Sequence, residues 1–320
     1  MNTKEALLRT LEENKGEYIS GESLASRLSV SRNAVWKAAR ALREDGYDIE
    51  SVSRKGYRLV ESTDILSAPG IEAFTSPISL EVFDSIDSTN EELKRKALSG
   101  APHGALVVAN QQTAGKGRRG RPFYSPSDTG LYMSVLLRLD LDFSESVLIT
   151  TASSVAVARA IEKVCGVSTG IKWVNDIYMN GRKVCGILSE AVTDIESGSI
   201  DSIVVGIGVN VSTGDFPGDF SERASSIFGD GRTHSVRNRL AAAIYDELME
   251  VANALPDKEF LEEYRRRSVV LGKRIRYSKG NDFLEGEAVD IDAGGGLVVE
   301  SDTEGRITLS TGEITIRGDF

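Results

Sequence analysis

The chain has 320 residues, which at about 100 to 200 residues per domain predicts two or three folded units, each with its own core. Hydrophobic residues make up 40% of it and charged residues 27%, which excludes a disordered or fibrous chain. The net charge of −10 argues against a protein that coats nucleic acid over its whole surface, because affinity for phosphate needs clustered Lys and Arg.

Several function classes are disfavoured by what the sequence contains. Its apolar stretches are shorter than the about 18 residues that cross a bilayer, and its N-terminus carries acids, so we expect a cytoplasmic chain that is neither exported nor anchored. Cys165 and Cys185 are expected to be buried reduced thiols, and His103 a turn residue. His103 and His234 lack metal-ligand spacing, so the sequence disfavours structural zinc and Cys-His or Ser-His catalysis, and we expect no resident metal ion.

The first segment differs in charge from the rest of the chain. Residues 1–62 hold 11 basic and 10 acidic side chains, whereas the remainder holds 27 basic and 38 acidic. Hydrophobic periodicity predicts three helices over 3–14, 23–28 and 32–45, with Ser31 as the N-cap of the third. Alternating residues over 47–59 predict a hairpin after them, so the segment has the pattern of a winged helix-turn-helix.

The third predicted helix carries side chains that suit DNA, with no acid between Ser31 and Arg43. Polar groups near the start of a helix can reach base edges, and cations further along it or on a hairpin turn can meet phosphates. The candidate DNA-binding residues are Ser31, Arg32, Asn33, Trp36, Lys37, Arg40, Arg54 and Lys55. The alternative is a solvated helix in a small domain that binds a protein, and the basic hairpin turn favours DNA.

Changes of pattern divide the remaining chain. A polar stretch over 61–67, followed by Pro69 and Gly70, predicts a linker after a first domain of 1–62. From 63 to 268 strand-like and helical patterns alternate, which indicates an α/β or α+β domain around a sheet. From 269 to 320 short alternating strands with glycine-rich turns predict a small β-barrel.

Residues 115–121 (GKGRRGR) contain three glycines and four cations. The run matches G-x-G-x-x-G, but Pro122 and the residues after it are loop-forming rather than helical, so it is not a dinucleotide fingerprint. Four neighbouring cations repel one another until a polyanion neutralises them, which predicts a flexible flap that closes on phosphate. The alternative is a solvated basic loop that binds nothing.

Three short polar motifs accompany this loop. Residues 172–176 (KWVND) cluster a cation, an amide and a carboxylate, which suits phosphate neutralisation, although a surface turn with an ion pair is commoner. Residues 87–90 (DSTN) precede a helix and by themselves most often cap it. Residues 206–210 (GIGVN) place glycines within a strand, which indicates either close approach of a ligand or a β-bulge.

Taken in their order along the chain, these features resemble the family of bifunctional biotin-protein ligases that are also biotin-operon repressors. The order is a winged helix, DSTN, Gln112 with GKGRRGR, KWVND, then residues 186–190 (GILSE), GIGVN and a small barrel. Lys116 stands where the family often has Arg, and Val174 where it often has Pro. Phe123 replaces a frequent Trp and still offers an aromatic face to adenine.

The resemblance implies an α+β fold: a winged helix-turn-helix over 1–62, a mixed α/β, class II synthetase-like ligase domain over 63–268 and an SH3-like barrel over 269–320. The activity implied is ATP-dependent formation of biotinyl-5'-AMP and transfer of biotin to a lysine of a biotin carboxyl carrier protein. The implied cofactors are ATP with Mg²⁺, and biotin is the substrate. Biotinyl-5'-AMP would be the corepressor of a homodimer that binds operator DNA.

The resemblance also implies roles for individual residues. Those for biotin are Ser88, Thr89, Asn90, Gln112, Lys116, Gly117, Arg118, Lys172, Gly186 and Leu188. Those for ATP are Arg118, Arg121, Phe123, Lys172, Asn175 and Asn210, with loop 212–220 closing over adenine. Those for catalysis are Lys172, Arg118 and Asp176.

The chemistry of the reaction favours these residue types. When a carboxylate attacks the α-phosphate of ATP, charge builds on the phosphoryl oxygens, and preorganised cations such as Lys172 and Arg118 lower that barrier. In the transfer step the acceptor amine, with a free pKa of about 10.4, is mostly protonated at neutral pH, so a carboxylate such as Asp176 could assist. Two alternatives stay open: a lipoate-type acyl ligase, and a metabolite-sensing repressor without ligase activity.

Overall fold

The computed structural model describes residues 2–76, 78–139, 146–193, 200–218, 220–229, 235–279, 282–310 and 312–316. Of the residues considered above, His234 and Asp219 of loop 212–220 lie outside these ranges, as do residues 317–320 of the predicted barrel.

The N-terminal unit has the helix and hairpin order expected of a winged helix. Its elements are α1 (Thr3–Glu13), α2 (Gly21–Arg27), α3 (Arg32–Glu44), β1 (Ile49–Val52) and β2 (Gly56–Leu59). Hydroxyl caps determine where two of the helices begin: Ser20 accepts from the Ser23 amide and Ser31 from the Ala34 amide. Because Ser20 is the cap, α2 begins two residues earlier than its hydrophobic pattern predicts.

The three helices and the hairpin enclose one small hydrophobic core. It includes Leu7, Leu11, Leu24, Val35, Ala39, Leu42, Ile49 and Leu59. The opposite face of α3 is open to solvent, and Trp36 on it is 47% exposed. The buried stripe and the exposed basic stripe of α3 are therefore both as the sequence predicts.

The segment predicted as a polar linker is packed rather than free. It contains a further helix, α4 (Ala68–Glu72), which Ser67 caps by accepting from the Gly70 amide, with Pro69 in the first turn. Thr63, Leu66 and Ile71 are buried. The linker prediction therefore missed a helix, because a five-residue helix is too short to show a hydrophobic period.

A mixed sheet forms the central domain. Its strands are β3 (Leu80–Ile86), β4 (Leu106–Gln112), β5 (Gly130–Leu137), β6 (Gly170–Lys172), β7 (Asp176–Met179), β8 (Arg182–Thr193) and β9 (Ile200–Asn210). Within the described ranges these seven strands run in the order β3-β4-β5-β9-β8-β7-β6. Only the β3–β4 pair among them is parallel. The α+β architecture around a sheet is thus confirmed.

Helices cover both faces of this sheet. The helices of the domain are α5 (Thr89–Leu98), α6 (Ser146–Cys165), α7 (Phe220–Arg223), α8 (Arg237–Asn253) and α9 (Phe260–Arg267), of which the short α7 buries no side chain. Strand β5 is buried along its length. Its alternate side chains point to opposite faces of the sheet, and both faces are covered there. Met133 and Val135 join the core formed with α6 and α8, whereas Leu136 packs in a smaller cluster with Leu93 of α5.

A five-stranded antiparallel sheet follows, in the part of the C-terminal domain that the structure describes. Its strands are β10 (Arg274–Lys279), β11 (Asp282–Ile291), β12 (Leu297–Ser301), β13 (Gly305–Leu309) and β14 (Ile314–Ile316). They run in the order β13-β12-β11-β10-β14. The Trp173 indole donates to the Gly295 carbonyl at 3.0 Å, which joins this sheet to the central domain.

Among the residues described, no helix combines the length and the apolar character needed to span a bilayer.

Candidate active site

The polar motifs of the central domain converge at one end of the sheet. Strand register brings them together, because Asp176 lies opposite Gly186, Gly186 opposite Gly208, and Gly130 opposite Asn210. Residues up to 80 positions apart in sequence therefore line one surface. The carboxyl end of β4, loop 115–124 and the turn before β7 complete it.

A buried polar network lies where α5 meets β4 and β5. Gln112 Oε1 accepts from the Thr89 amide at 2.9 Å and from the Thr89 hydroxyl at 3.2 Å. The Ser134 hydroxyl bonds Thr89 Oγ1 at 2.7 Å and Asn90 Oδ1 at 2.6 Å. Ser88, Thr89, Asn90 and Ser134 are buried. Side chains fixed in this way are preorganised to bind a small polar ligand.

Ser134 was not identified from the sequence, because it stands inside an apolar strand pattern. The capping interpretation of residues 87–90 is also wrong: Ser88 occupies the N-cap position of α5 but makes no side-chain cap bond. Asp87 instead accepts from the Ser88 amide and pairs with Arg95. Arg95 and the Ser88 amide hold the pKa of the Asp87 carboxyl below its usual value.

The glycines of β9 make room for side chains from elsewhere. A Cβ at Gly206 would overlap the Asn90 amide, and one at Gly208 would lie 2.5 Å from the Phe123 ring. Strand β9 pairs with β5 and β8 in unbroken register through these positions, so the β-bulge alternative is wrong. Phe123 also packs edge-on against Tyr132, with ring centroids 6.4 Å apart.

Loop 115–121 lies beside the site, with Gly115, Gly117 and Arg118 half-buried and its other residues exposed. The Gly117 amide donates to the Arg121 carbonyl at 2.7 Å, and Arg119 and Gly120 between them have φ values of 57° and 72°. Lys116 pairs with Glu91 at 2.7 Å, and Arg121 with Glu313 at 2.7 Å. Acids of this same chain thus offset part of the repulsion that the sequence predicted among the loop cations.

Arg118 points from this loop into the site. Its Nη1 donates to Asn175 Oδ1 at 3.1 Å, and burial lowers the pKa of its guanidinium from the ordinary value. Asn175 Nδ2 in turn donates to the Ile187 carbonyl at 2.8 Å. The amide of Asn175 therefore links the basic loop to strand β8.

Lys172 ends strand β6 and is largely enclosed. Its Nζ lies 3.4 Å from the Tyr178 hydroxyl and 5.4 Å from the centre of that ring. Burial lowers the pKa of the Lys172 ammonium, as do the nearby cations Lys183 and Arg223, while Asp176 opposes the shift. The site therefore concentrates positive charge in a partly dry space, where an anion is bound strongly.

Lys183 is a further cation of the site that sequence reasoning missed. Its Nζ lies 2.6 Å from Asp176 Oδ1, across the β7–β8 hairpin, and within reach of Gly186 and Phe123. The sequence did contain a signal for Lys183, namely its position just after the Asn180-Gly181 turn. A hairpin at that turn pairs Lys183 with Tyr178 and brings it near Asp176.

Buried helices hold the turn between β6 and β7. The Val174 carbonyl accepts from the Ser154 hydroxyl of α6 and the Tyr264 hydroxyl of α9, each at 3.2 Å. The Trp173–Val174 peptide bond is cis. This turn is thus an anchored element, not the surface turn of the alternative reading.

Asn210 closes the far side of the site. Its Nδ2 donates to the Ser225 carbonyl at 3.1 Å, and its own carbonyl accepts from the Ile227 amide at 3.0 Å. Phe216, in the loop expected to cover adenine, lies edge-on to Tyr124 with centroids 6.3 Å apart. The loop therefore reaches the segment that follows Phe123.

The DNA-binding candidates form a separate surface on the N-terminal unit. The seven charged and polar candidates and Trp36 are all exposed, six on α3 or its cap and two on the β1–β2 turn. Arg40 pairs with Glu44 at 3.0 Å. The sequence analysis did not identify Tyr18 as part of this surface. Lys55 Nζ lies 5.5 Å and Arg58 Cζ 4.7 Å from the centre of its ring, so Tyr18 makes cation–π contacts with both.

The cysteines and histidines of the described ranges do not gather with acids into a metal site. No group of three or more His, Cys, Asp and Glu side chains there could hold a metal ion. Cys165 and Cys185 are free thiols; Cys185 is buried as expected, whereas Cys165 is half-buried. His103 lies in a turn, and its Nδ1 accepts from the Arg138 amide at 3.0 Å.

Three family models match the chain: a helix-turn-helix domain over residues 3–58, the biotin/lipoate A/B protein ligase family over 82–210, and the biotin protein ligase C-terminal domain over 270–317. The bifunctional ligase/repressor BirA of Bacillus subtilis is 34% identical over 92% of this chain and 93% of its own length. The Escherichia coli protein of that name is 30% identical, over 90% and 89%.

The chain belongs to this family of biotin ligase/repressors. Among solved structures, the biotin protein ligase from Aquifex aeolicus in complex with biotin and ATP has 26% identity and a TM-score of 0.63. The match covers 75% of this chain and 98% of that one. The resemblance drawn from motif order is confirmed, and so is the fold class.

Proposed function

We propose that this member of the family forms biotinyl-5'-AMP from biotin and ATP, transfers biotin to a lysine of a biotin carboxyl carrier protein, and represses biotin genes. The observation that carries the proposal is one surface that joins a buried polar pocket, at Thr89 and Gln112, to three cations, Arg118, Lys172 and Lys183. Biotin has a polar ring, which needs the donors and acceptors of the pocket. Its carboxylate must approach the triphosphate of ATP, and the cations offset the repulsion between these two anions.

The polar network is assigned to the ureido ring of biotin. Ser88, Thr89 and Gln112 supply donors and acceptors. The Leu188 carbonyl of β8 reaches the network through Asn90 Nδ2 at 3.3 Å, and the backbone of Gly186 and Leu188 is assigned to the same ring. Asn90 orients the pocket: its Nδ2 donates to Glu190 at 2.7 Å and its Oδ1 accepts from Ser134. Lys116 and Gly117, at the start of the loop, are assigned to the carboxylate end.

The cations are assigned to the adenylation step. The biotin carboxylate attacks the α-phosphate, the bond to pyrophosphate breaks, and Lys172 and Arg118 stabilise the charge on the phosphoryl oxygens. The Phe123 ring packs against Gly186 and Gly208, where the lack of a Cβ leaves room for it. This ring is assigned to stack on adenine. Arg121, Asn175 and Asn210 complete the nucleotide half.

Mg²⁺ accompanies ATP in this proposal as part of the substrate. Mg²⁺ takes oxygen ligands and usually needs one or two protein groups besides phosphates. The carboxylate of Asp176 and the amide oxygens of Asn175 and Asn210 fit that donor set. The ion, when bound, neutralises the departing pyrophosphate.

Asp176 is also assigned to the transfer step. Its carboxylate lies 2.6 Å from Lys183 Nζ, which holds it at the site. From there it can take a proton from the acceptor lysine, whose neutral amine attacks the mixed anhydride and releases AMP.

The repressor half of the proposal rests on the N-terminal unit. Exposed Arg32, Asn33 and Lys37 on α3 are assigned to operator DNA, with Arg54 and Lys55 at the hairpin turn. Biotinyl-5'-AMP is the corepressor, and the adenylate-bound chain is a homodimer. The domain boundaries at 62 and 268 are part of this proposal.

Pyrophosphate exchange tests the enzyme, since exchange into ATP that requires biotin is expected. Exchange that requires lipoate instead would favour a lipoate-type ligase, and none with either acid would favour a metabolite-sensing repressor. A mobility shift on the upstream DNA of biotin genes, with biotin and ATP present, tests the second activity. A shift that is the same without both ligands would contradict the corepressor role.

A further inference from the structure

Arg237 is the largest fully buried side chain among the described residues, at 2% exposure. It begins helix α8 and lies outside the site described above. Its Nε donates to Asp64 Oδ2 at 2.8 Å, and its Nη2 donates to the Asp64 carbonyl. Asp64 belongs to the segment between the N-terminal unit and the central sheet, and it too is buried. A buried guanidinium is tolerated where all its donors are used.

The other side of the same guanidinium contacts the central sheet. Arg237 Nη1 donates to Asn110 Oδ1 at 2.7 Å and to the Gly130 carbonyl at 3.3 Å. Asn110 and Asp128 bond each other in both directions, at 3.0 and 3.2 Å. Arg237 therefore fixes the turn over residues 128–130 against the end of β4.

That turn holds the start of the loop assigned to the nucleotide. The Thr129 carbonyl accepts from the amides of Val211 at 3.1 Å and Ser212 at 2.8 Å. The hydroxyls of Thr129 and Thr213 lie 3.1 Å apart. Gly130 is paired with Asn210 across the strands. A displacement of residues 128–130 would therefore move Asn210 and the residues that follow it.

The next residue, Asn238, extends the junction to the N-terminal unit. Its Nδ2 donates to the Ile65 carbonyl at 2.9 Å and to Glu12 Oε1 at 3.4 Å, and its Oδ1 accepts from the Ser67 amide at 3.2 Å. Glu12 lies on α1 and is buried. Two consecutive residues of α8 thus join the winged helix, the linker and the nucleotide end of the sheet.

We propose that Arg237 is a positioning residue for ATP. Through its ion pair with Asp64, the affinity of the site for ATP then depends on the position of the linker, residues 61–67. This inference rests on the proposed function, since it takes Asn210 and loop 212–220 to bind the nucleotide. Arg237 touches no substrate in this scheme. It acts through residues 128–130, whereas the biotin pocket at Thr89 and Gln112 is built without it.

The test compares conservative variants of the full chain. Asp64→Asn keeps the size of the linker side chain and removes its charge, and Arg237→Lys keeps the charge and removes the planar fork. We expect each to raise the KM for ATP about five- to tenfold in biotin-dependent pyrophosphate exchange, a size typical of couplings between joined sites. The KM for biotin should change less than twofold, because its pocket does not contact the junction.

A matched control lies at the opposite end of the same strands. Arg138 pairs with Asp201 at 2.7 Å and donates to the carbonyls of Ala97 and Ala101. Asp201→Asn should leave both KM values unchanged. If Arg237→Lys does not fold, Asn110→Ala removes the link to the 128–130 turn at a half-buried position and carries the same expectation.

Three results would overturn the proposal. The first is an unchanged KM for ATP in folded Asp64→Asn, and the second is an equal rise in the KM for ATP in Asp201→Asn. The third is a parallel rise in the KM values for ATP and biotin. Calorimetric titration with ATP makes the same comparison without turnover. Absence of biotin-dependent exchange in the unaltered chain would instead contradict the proposed function, while ATP titration would still report on Arg237.

Discussion

Two glycines on strand β9 show how single residues shape the site. Gly206 and Gly208 lie on one face of the strand, two residues apart, and lack of a Cβ admits Asn90 at one position and Phe123 at the other. Neither glycine has the positive φ that would require glycine for backbone reasons. Both are therefore needed for the space they leave, one on each half of the proposed substrate.

Gly208→Ala should weaken ATP binding by displacing the Phe123 ring. Stacking of a base on an aromatic ring contributes about 1–3 kcal/mol, so the KM for ATP should rise about fivefold to a hundredfold. Phe123→Ala should have a similar effect, and the double variant should be no worse than either, because the overlap is then gone. Gly229→Ala, where a Cβ meets open space, is the control. Additive effects would show that Phe123 and Gly208 act independently.

Lys172→Ala should reduce the rate of adenylate formation by a factor of about 10² to 10³, the usual loss for one preorganised donor, while the chain stays folded. Pyrophosphate exchange measures it. Lys163→Ala removes an exposed lysine that pairs with Glu247 and should leave the rate unchanged. A near-normal rate for Lys172→Ala would assign that side chain a structural role only.

The pH dependence of the same step follows from the lowered pKa of Lys172. A catalytic cation is lost as the pH rises through its pKa, so adenylation should fall at a lower pH than the ordinary lysine value of 10.5 implies. The buried cation also destabilises the fold below that pKa, and this effect decreases as the pH rises through it. Lys172→Arg should keep activity to higher pH, and an unchanged alkaline limb would contradict the assignment.

At the scale of elements, loop 115–124 and helix α5 are joined by a pair of opposite charges. Glu91 of α5 accepts from Lys116 of the loop at 2.7 Å and from Lys94 at 3.1 Å. The hydrogen bond from Lys116 contributes most, and that from Lys94 next, to a pKa of the Glu91 carboxyl below its usual value. The loop thus has partners within the chain that a bound phosphate can replace.

Glu91→Gln should speed trypsin cleavage after Lys116 about two- to fivefold, since exposed ion pairs contribute about 0.2–1 kcal/mol. Glu92→Gln, which removes a partner of Arg95 on the same helix, should not. In the unaltered chain, biotin plus ATP should protect Lys116, Arg118, Arg119 and Arg121. Equal cleavage with and without both substrates would contradict closure of the loop on its ligand.

At the scale of the whole molecule, the N-terminal unit and the rest of the chain differ in net charge. The N-terminal unit is nearly neutral overall but exposes its cations on one face of α3 and on the hairpin turn, while the rest of the chain has an excess of acids. If the proposed function is right, DNA is expected to contact that face, because the net excess of acids on the rest of the chain disfavours phosphate outside the ligand site.

Substitutions on α3 should affect operator binding alone. Lys37→Ala should weaken binding and lower the slope of log affinity against log salt by about 0.9, the value for one phosphate contact. Arg32→Ala should weaken it by about 1–3 kcal/mol and relax sequence preference. Arg9→Ala, on α1 with its partner Glu13, is the control. Mobility shifts with biotin and ATP measure each, and loss of biotinylation in these variants would contradict separate surfaces.

The sequence alone determined whatever depends on local period, caps and motif order. Ser31 as an N-cap, the buried stripe of α3 and the alternation of the C-terminal strands are short-range properties, and each was read correctly. The order of DSTN, GKGRRGR and KWVND likewise sufficed to indicate the family, because the motifs are rarely combined.

Only the tertiary structure decided what those motifs touch. Ser134 and Lys183 enter the site because β5 and β8 bring them there, and Glu91 and Glu313 neutralise loop cations from 25 and 192 residues away. Arg237 shows no local signal at all: its burial results from Asp64, Asn110 and Gly130 meeting around it. Contacts between distant segments depend on strand register and helix packing, which a local pattern does not encode.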